Sequence, residues 1–254
     1  MDRIKKYLKI VQDYFKSIHW KDPMVIILSS LLVFLTLGSV IGFIVIKRQA
    51  RNELKKPLVI LDATYGGEQK GYEGIVNEAD VAEKTVTALE KKLLVNGYRV
   101  KRTHPAGTFV TLEEKLKLIK NSQPALVLSI RAGHSDKPET AGVRFYANPK
   151  QSETDSIAFA LKNSFSRGHK GVWAGYLFYK QAEKNTQVAN YVDLGGKKEK
   201  LETWAIMNDS DKKIIVAEQF FITNQKDVKT WHSDKGYEEI AKLYLSAIQQ
   251  VIKK

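Results

Sequence analysis

The sequence Leu-Val-Ile-Leu-Asp-Ala-Thr-Tyr-Gly-Gly, residues 58–67, indicates the fold of this chain most directly. Four apolar residues in a row, ending at Asp62, are typical of a short strand that is buried on both faces of a parallel sheet. The pair Gly66 and Gly67 permits a sharp turn and a close approach of the backbone to neighbouring atoms. Because open α/β sheets bind ligands at the carboxyl ends of their strands, we expect Tyr65 to face such a crevice. An ordinary connecting loop is the competing interpretation of the two glycines.

Strand patterns alternate with amphipathic helical patterns along the rest of the chain. A helix is predicted from Glu78 to Asn96, with Gly97 as its left-handed cap, and a capping box at residues 111–114 begins another helix. The other predicted strands are 98–103, 125–130, 143–147 and 214–217, and the other predicted helices are 152–166 and 237–252. This alternation predicts one α/β domain over residues 57–254, with a mostly parallel sheet flanked by helices.

The first 56 residues have a different character. Residues 1–22 are predicted to form a basic amphipathic tail, because apolar residues recur at spacings of three and four with most lysines on the other side. A solvated, irregular tail is the alternative. Residues 23–46 are predicted to be a transmembrane helix, since positions 24–46 carry no charge and suffice to cross about 30 Å of hydrocarbon. No signal-peptide cleavage pattern follows, so a retained anchor and a charged linker, residues 47–56, are expected.

Composition restricts the partners and the chemistry. The net charge is +13, and residues 1–56 contain 11 basic and 4 acidic side chains. Such a balance suits phospholipid headgroups or anionic wall polymers, and no nucleic-acid-binding signature is present, so no nucleic-acid partner is expected. The chain has no cysteine, which excludes disulfides, thiolate metal sites and cysteine nucleophiles. Gly38 and Gly42 have a spacing that is compatible with a homodimer formed through the transmembrane helix.

Four motifs resemble, in this order, the zinc-dependent N-acetylmuramoyl-L-alanine amidases that cut peptidoglycan. They are Asp62–Gly67, Asn77–Asp80, Ser129–Gly133 and Val216–Asn224. In the family the first reads Asp-Pro-Gly-His-Gly-Gly, the second contains a Glu, the third reads Ser-Ile-His-Ala-Asn and the last contains Glu-x-Gly-Phe-x-x-Asn. The resemblance covers about residues 57–250. It implies the amidase fold, a zinc ion held by the first His, the Glu and the second His, and the late Glu as catalytic acid/base.

The resemblance implies a degenerate zinc site in this chain. Glu78 is the remaining family ligand, whereas Tyr65 and Arg131 occupy the two His positions, and Glu218 is the catalytic residue only if the protein is active. A phenol with a pKa of about 10 is a poor ligand at neutral pH, and a guanidinium does not coordinate a metal. We therefore expect no cofactor, or zinc if activity is retained. We also expect the Arg131 guanidinium to pair with Glu78, Glu218 or both.

Other histidines and aromatic residues leave alternatives open. His134, three residues after Arg131, is the candidate for a replacement ligand, whereas His104, His169 and His232 are expected to be surface or hydrogen-bonded residues. Five of the aromatic residues in 167–213 form a cluster, for which a β-hairpin with one buried face is predicted and a sugar-stacking platform is the alternative. These residues are Trp173, Tyr176, Phe178, Tyr179 and Trp204.

These observations predict a single-pass membrane protein of the cell wall with an extracytoplasmic domain. Six basic residues before the span and five after it do not decide the orientation, so the resemblance decides it. The predicted function is an inactive amidase-like module that binds peptidoglycan or a partner from the cell-wall machinery, with substrate-binding residues not indicated. The alternatives are an active amidase that hydrolyses the bond between N-acetylmuramic acid and L-alanine, and a purely structural anchor.

Overall fold

A computed structural model describes residues 2–17, 22–148, 151–167, 171–181, 187–193, 205–208 and 210–253. The chain divides into two compact units, Met1–Lys55 and Lys56–Lys254. The second unit contains the sheet and the motifs that the sequence analysis singled out. His169 and Trp204 lie outside the described residues.

The first unit consists of two helices, α1 (Asp2–Ser17) and α2 (Pro23–Lys55). Helix α2 begins at a proline, and the Asp22 carboxylate accepts a hydrogen bond of 2.8 Å from the Met24 amide, as expected at a helix start. By length and composition, α2 is apolar and long enough to cross a membrane. Residues 47–55, which were predicted to be part of a charged linker, continue the helix α2. The helix ends at Lys55, two residues before Pro57, which disfavours helix at the residue before it.

The second unit is built on a seven-stranded sheet. Its strands are β1 (Leu58–Ala63), β2 (Arg99–Arg102), β3 (Leu126–Gly133), β4 (Val143–Ala147), β5 (Val172–Gln181), β6 (Gln187–Asp193) and β7 (Ile214–Phe221). Their order across the sheet is β2-β1-β3-β7-β4-β5-β6. The β4–β7 and β5–β6 pairs are antiparallel and the other four pairs are parallel, so the prediction of a mostly parallel sheet is confirmed.

Helices flank this sheet on both faces. They are α3 (Glu78–Val95), α4 (Leu112–Ser122), α5 (Asp155–Ser166, after a 3₁₀ turn at Ser152–Thr154), α6 (Ala205–Asn208), α7 (Gln225–Trp231) and α8 (Asp234–Val251). The capping box of α4 is present, with Thr111 and Glu114 bonded reciprocally, and Gly97 after α3 has a φ of 76°. Both predicted caps are therefore confirmed. Helix α8 begins three residues earlier than predicted because the Ser233 side chain caps it.

The carboxyl end of β1 is held by a buried ionic network. The Asp62 carboxylate is 2.8 Å from the Lys115 ammonium group of α4 and accepts hydrogen bonds of 2.6 Å from Thr103 and Ser129. Lys115 also donates a hydrogen bond of 3.0 Å to the Thr64 carbonyl. Because both charges are buried and paired, this network fixes the point at which the chain leaves β1 and enters the loop that leads to α3.

The aromatic-rich region contains the predicted hairpin. Strands β5 and β6 pair in antiparallel register from Gly175 with Asp193 to Gln181 with Gln187. Trp173 is half-buried, and its ring centroid lies 5.4 Å from that of Tyr146, so Trp173 packs against the sheet. The side chains of Tyr176, Phe178 and Tyr179 are outside the described structure, as is Trp204, so the sugar-stacking platform stays an alternative.

Candidate functional site

The crevice lies where β1, β3 and β7 end side by side. In the parallel ladders Ala63 is opposite Ile130, and Arg131 is opposite Glu218. Tyr65 follows β1, and its ring centroid lies 5.9 Å from the Arg131 guanidinium carbon. Glu78 is the first residue of α3 and pairs with Arg131. The structure therefore brings together all four residues that the motifs singled out.

The predicted ion pair between Arg131 and Glu78 is present. The distance from Arg131 Nε to Glu78 Oε1 is 3.2 Å, and the Glu78 side chain is only 1% exposed. The second carboxylate oxygen, Oε2, accepts a hydrogen bond of 2.9 Å from the Tyr72 amide. Both oxygens of this buried carboxylate therefore have a partner within the protein.

Gly71 is a requirement of the site that the sequence did not reveal. Its φ of +69° is in the left-handed region, and a Cβ atom there would lie 2.6 Å from the Tyr65 ring and 2.7 Å from Glu78 Oε2. Any other residue at this position would crowd Tyr65 and Glu78 and would hold a strained backbone conformation. Gly66, in the pair that the sequence analysis stressed, approaches the backbone of Thr108 closely, so a Cβ atom there would overlap the Thr108 carbonyl oxygen.

Glu218 has a separate set of partners that come from β4. The Tyr146 hydroxyl donates a hydrogen bond of 2.7 Å to Glu218 Oε2, and Arg144 Nη1 is 3.9 Å from the same oxygen. Burial raises the pKa of Glu218, whereas this hydrogen bond and the charges of Arg131 and Arg144 oppose the rise. Burial and the neighbouring carboxylate raise the pKa of Tyr146, so its hydroxyl stays protonated and donates.

Replacing Tyr146 with phenylalanine is expected to lower the free energy of unfolding at pH 7 by about 1–3 kcal/mol. A raised pKa of Glu218 in the folded state means that stability falls as pH rises from the unfolded pKa, about 4.5, through the folded pKa. Loss of the hydrogen bond raises the Glu218 pKa further, so the deficit of the variant should grow with pH over this interval. Urea unfolding between pH 4 and pH 8 measures it.

Tyr98→Phe is the matched control for this experiment. The Tyr98 hydroxyl is also buried, but it donates to the Ile252 carbonyl at 2.9 Å instead of to a carboxylate. Its removal should therefore cost a similar amount at every pH in the range. Parallel pH profiles for Tyr146→Phe and Tyr98→Phe would contradict the assigned role of Tyr146.

The described histidines contact groups outside the set of Tyr65, Glu78 and Arg131. His104 is buried, and its Nε2 is 2.8 Å from the Ala63 carbonyl, which ties it to the end of β1. His134 is exposed and stacks on Tyr72, with ring centroids 4.3 Å apart and planes inclined by 8°. His232 accepts from or donates to the Tyr237 hydroxyl at 2.8 Å, and burial lowers its pKa. His104 and His232 are therefore hydrogen-bonded residues, as predicted.

The residues at the crevice do not fit a zinc ion. Within the described part of the chain, no three His, Asp or Glu side chains are grouped as a metal site requires. A dication bound to Glu78 Oε1 would lie beside the permanently charged Arg131, which is already 3.2 Å from that oxygen. Tyr65 is a phenol, which is a weaker zinc ligand than imidazole at neutral pH.

Arg144 and Tyr146, like Gly71, are site residues that sequence reasoning missed. Both lie on one face of β4, and Arg144 is directly opposite Glu218 in the antiparallel ladder. Alternation along β4 indicates that the two side chains share a face, but only the strand order identifies that face as the neighbour of Glu218.

Comparisons with known proteins agree with this architecture. A family model described as N-acetylmuramoyl-L-alanine amidase matches residues 59–250. No curated protein sequence matches the chain.

Three solved structures illustrate the shared fold. The catalytic domain of the amidase CwlV from Bacillus (Paenibacillus) polymyxa var. colistinus is 18% identical, with a TM-score of 0.60, covering 76% of this chain and 97% of that chain. The amidase AmiC2 of Nostoc punctiforme is 16% identical, with a TM-score of 0.60, covering 78% and 98%. The CwlD amidase of Clostridioides difficile, in complex with the GerS lipoprotein, is 16% identical, with a TM-score of 0.62, covering 78% and 98%. At these identities the three structures establish the fold alone. The family model, however, spans most of the sequence, and the chain belongs to the N-acetylmuramoyl-L-alanine amidase family.

Proposed function

We propose that this chain is a membrane-anchored amidase-like protein of the cell wall that binds peptidoglycan or a wall-machinery protein without cleaving the amide bond. The observation that carries the proposal is the 3.2 Å contact between the Arg131 guanidinium and the buried Glu78 carboxylate. A fixed cation stands beside the family's remaining ligand, where the resemblance implies a zinc ion.

The electrostatics of the crevice support this substitution. An isolated carboxylate as buried as Glu78 would cost several kcal/mol or take up a proton. Arg131 supplies a positive charge from the end of β3, and the Tyr72 amide, in the loop before α3, donates a hydrogen bond to the other oxygen of Glu78. The Glu78 charge is therefore balanced by the protein's own side chain, without a bound ion.

Anchoring is the second part of the proposal. Helix α2 is apolar and long enough to span a bilayer, and peptidoglycan lies outside the membrane. We therefore place the N-terminus in the cytoplasm and residues 57–254 on the outer side, in a single-pass arrangement. A protein held in this way works on wall material or on partners close to the membrane surface.

The crevice rim supports a binding role. The Tyr72 side chain is 39% exposed and stacks on the exposed His134, and Tyr72 is tied through its amide to Glu78. A flat, half-exposed ring pair beside fixed charges suits a ligand with both apolar and polar faces, such as a glycan or a peptide. The amidase CwlD, which shares the fold, is found in complex with the GerS lipoprotein, so a protein partner is a reasonable class for this chain.

The test is to incubate the full chain, in detergent, with purified cell walls and to quantify bound protein, released peptide and zinc per chain. We expect binding without peptide release and well below one zinc ion per chain. Tyr65→Ala should lower the binding, because it removes the ring next to Arg131. Phe159→Ala, which alters an exposed aromatic residue of α5, is the matched control and should bind like the wild type.

An active amidase is the second candidate, and the environment of Glu218 favours it. Burial raises the pKa of this carboxyl group, and a raised pKa suits a general acid near neutral pH. Peptide release that disappears in Glu218→Gln would establish the active amidase and overturn the binding-only proposal. Equal background release by the wild type and Glu218→Gln would leave the binding-only proposal standing.

A further inference from the structure

Helix α1 has two chemically different faces that the proposed function does not use. An α-helix turns by about 100° per residue, so Tyr7, Leu8, Val11 and Tyr14 share one side. Lys9 and Lys16 lie on the opposite side, and Lys6 lies between them and the edge of the apolar face. The helix is therefore amphipathic along its described length.

The apolar face has no cover within the described structure. The exposed fraction is 71% for Tyr7, 69% for Tyr14, 59% for Leu8 and 49% for Val11. A row of exposed apolar side chains on one helix face is uncommon in a soluble protein and indicates an interaction surface. The lysines on the other side restrict the partner to one that offers negative charge next to an apolar layer.

The position of α1 in the chain identifies a partner of this kind. Residues 18–22 separate Ser17 from Pro23, where α2 begins. Even if fully extended, this connection reaches only about 20 Å, at 3.3–3.6 Å per residue. Once α2 spans a bilayer, α1 is confined to the water-facing layer of the same membrane, where its effective concentration at the lipid surface is high.

We propose that α1 lies flat on anionic phospholipid, with Tyr7, Leu8, Val11 and Tyr14 at the boundary between headgroups and acyl chains. The ammonium groups of Lys6, Lys9 and Lys16 then face the lipid phosphates. Tyrosine is favoured at this depth because its ring is apolar and its hydroxyl is polar. This placement rests on the proposed membrane anchoring by α2, and it adds a recognised lipid class to that anchoring.

The absence of cysteine allows a direct test on the full chain. Single substitutions Leu8→Cys, Val11→Cys and Lys9→Cys each give one site for a nitroxide label in reconstituted vesicles. Collision rates with oxygen report contact with acyl chains, and collision rates with an aqueous nickel chelate report contact with water. In vesicles that contain phosphatidylglycerol, the oxygen-to-nickel ratio should be several-fold higher at positions 8 and 11 than at position 9.

Two comparisons separate this placement from other arrangements. Replacing Lys6, Lys9 and Lys16 together with glutamine should lower the surface affinity of α1 roughly a hundredfold, and pure phosphatidylcholine should weaken it similarly. Both changes should lower the oxygen-to-nickel ratio at position 11 towards the value of a water-exposed position. Equal water access at positions 8, 9 and 11 in anionic vesicles would overturn the proposal. If the apolar face stays protected from water in neutral vesicles and the labels show spin–spin broadening, a second copy of the chain covers that face. This result would also overturn the proposal.

A label at Leu35→Cys, in the middle of α2, distinguishes failure of the anchoring from failure of this inference. Contact of position 35 with acyl chains, combined with water access at positions 8 and 11, overturns the placement of α1 alone. Water access at position 35 overturns the proposed anchoring and the placement of α1 with it.

Discussion

Replacing Arg131 with methionine is expected to lower the free energy of unfolding by about 3–5 kcal/mol. The reason is that the variant leaves the Glu78 carboxylate, which is 1% exposed, without its charge partner at 3.2 Å. Methionine is close to arginine in length, so the loss reports the missing charge more than a cavity. For a unit of this size, 1 kcal/mol corresponds to about 2–4 °C, so the melting temperature should fall by roughly 6–20 °C. Urea unfolding of the full chain in mild detergent gives the free energy.

Arg102→Met is the matched control for this loss of charge. Arg102 also bonds two carboxylates, Glu83 and Glu90, but the side chains of these partners are 24% and 29% exposed. Because water can solvate a partly exposed carboxylate after its partner is removed, the control should cost less than Arg131→Met.

A double-mutant cycle then isolates the interaction free energy between Arg131 and Glu78. The double variant Arg131→Met with Glu78→Gln removes both charges, and a pair of neutral side chains in a buried site is often close to neutral for stability. We therefore expect the double variant to be more stable than Arg131→Met alone. If the effects of the two single substitutions simply add, the buried ion pair does not organise the crevice.

Local sequence patterns predicted the elements that carry most of the crevice. The apolar run that ends at Asp62 is β1, the capping box begins α4, and Gly97 ends α3 as expected. These features succeed because a buried strand and a helix cap each depend on a few adjacent residues. The pairing of Arg131 with Glu78 followed from the family resemblance, which assigns both residues to zinc-ligand positions of one site.

Features that depend on distant parts of the chain were not predictable in the same way. Tyr146 reaches Glu218 because β4 pairs with β7 in antiparallel register, a pairing across about 70 residues that no local pattern encodes. The need for Gly71 depends on the positions of Tyr65 and Glu78 after folding. The helical continuation to Lys55 was missed because the charged residues after position 46 were interpreted as a linker. Charged side chains do not end a helix when they are exposed to solvent, and here the helix simply continues through them.

The double variant Tyr65→His with Arg131→His is expected to bind close to one zinc ion per chain, whereas the wild type should bind far less. The resemblance places these two positions and Glu78 as the ligand set, and two imidazoles with one carboxylate are a common protein zinc site. Both histidines are smaller than the residues they replace, so the loop at Gly71, which contacts the Tyr65 ring closely, need not move away. Metal analysis after dialysis against trace zinc measures the gain.

The variant Tyr65→Phe with Arg131→Met is the matched control, because it removes the same cation and the same hydroxyl without adding a nitrogen ligand. It should be destabilised like Arg131→Met and should not respond to zinc. The histidine variant should be similarly unstable without metal, because Glu78 loses its partner, and should recover about 2.7 kcal/mol at a free zinc concentration a hundredfold above its dissociation constant. Recovery by zinc in the histidine variant alone would mean that one buried carboxylate accepts either a guanidinium or a metal ion as its countercharge. A folded histidine variant that binds no more zinc than the control would show that positions 65 and 131 are not arranged as zinc ligands, and the proposal that Arg131 replaces the ion would fail.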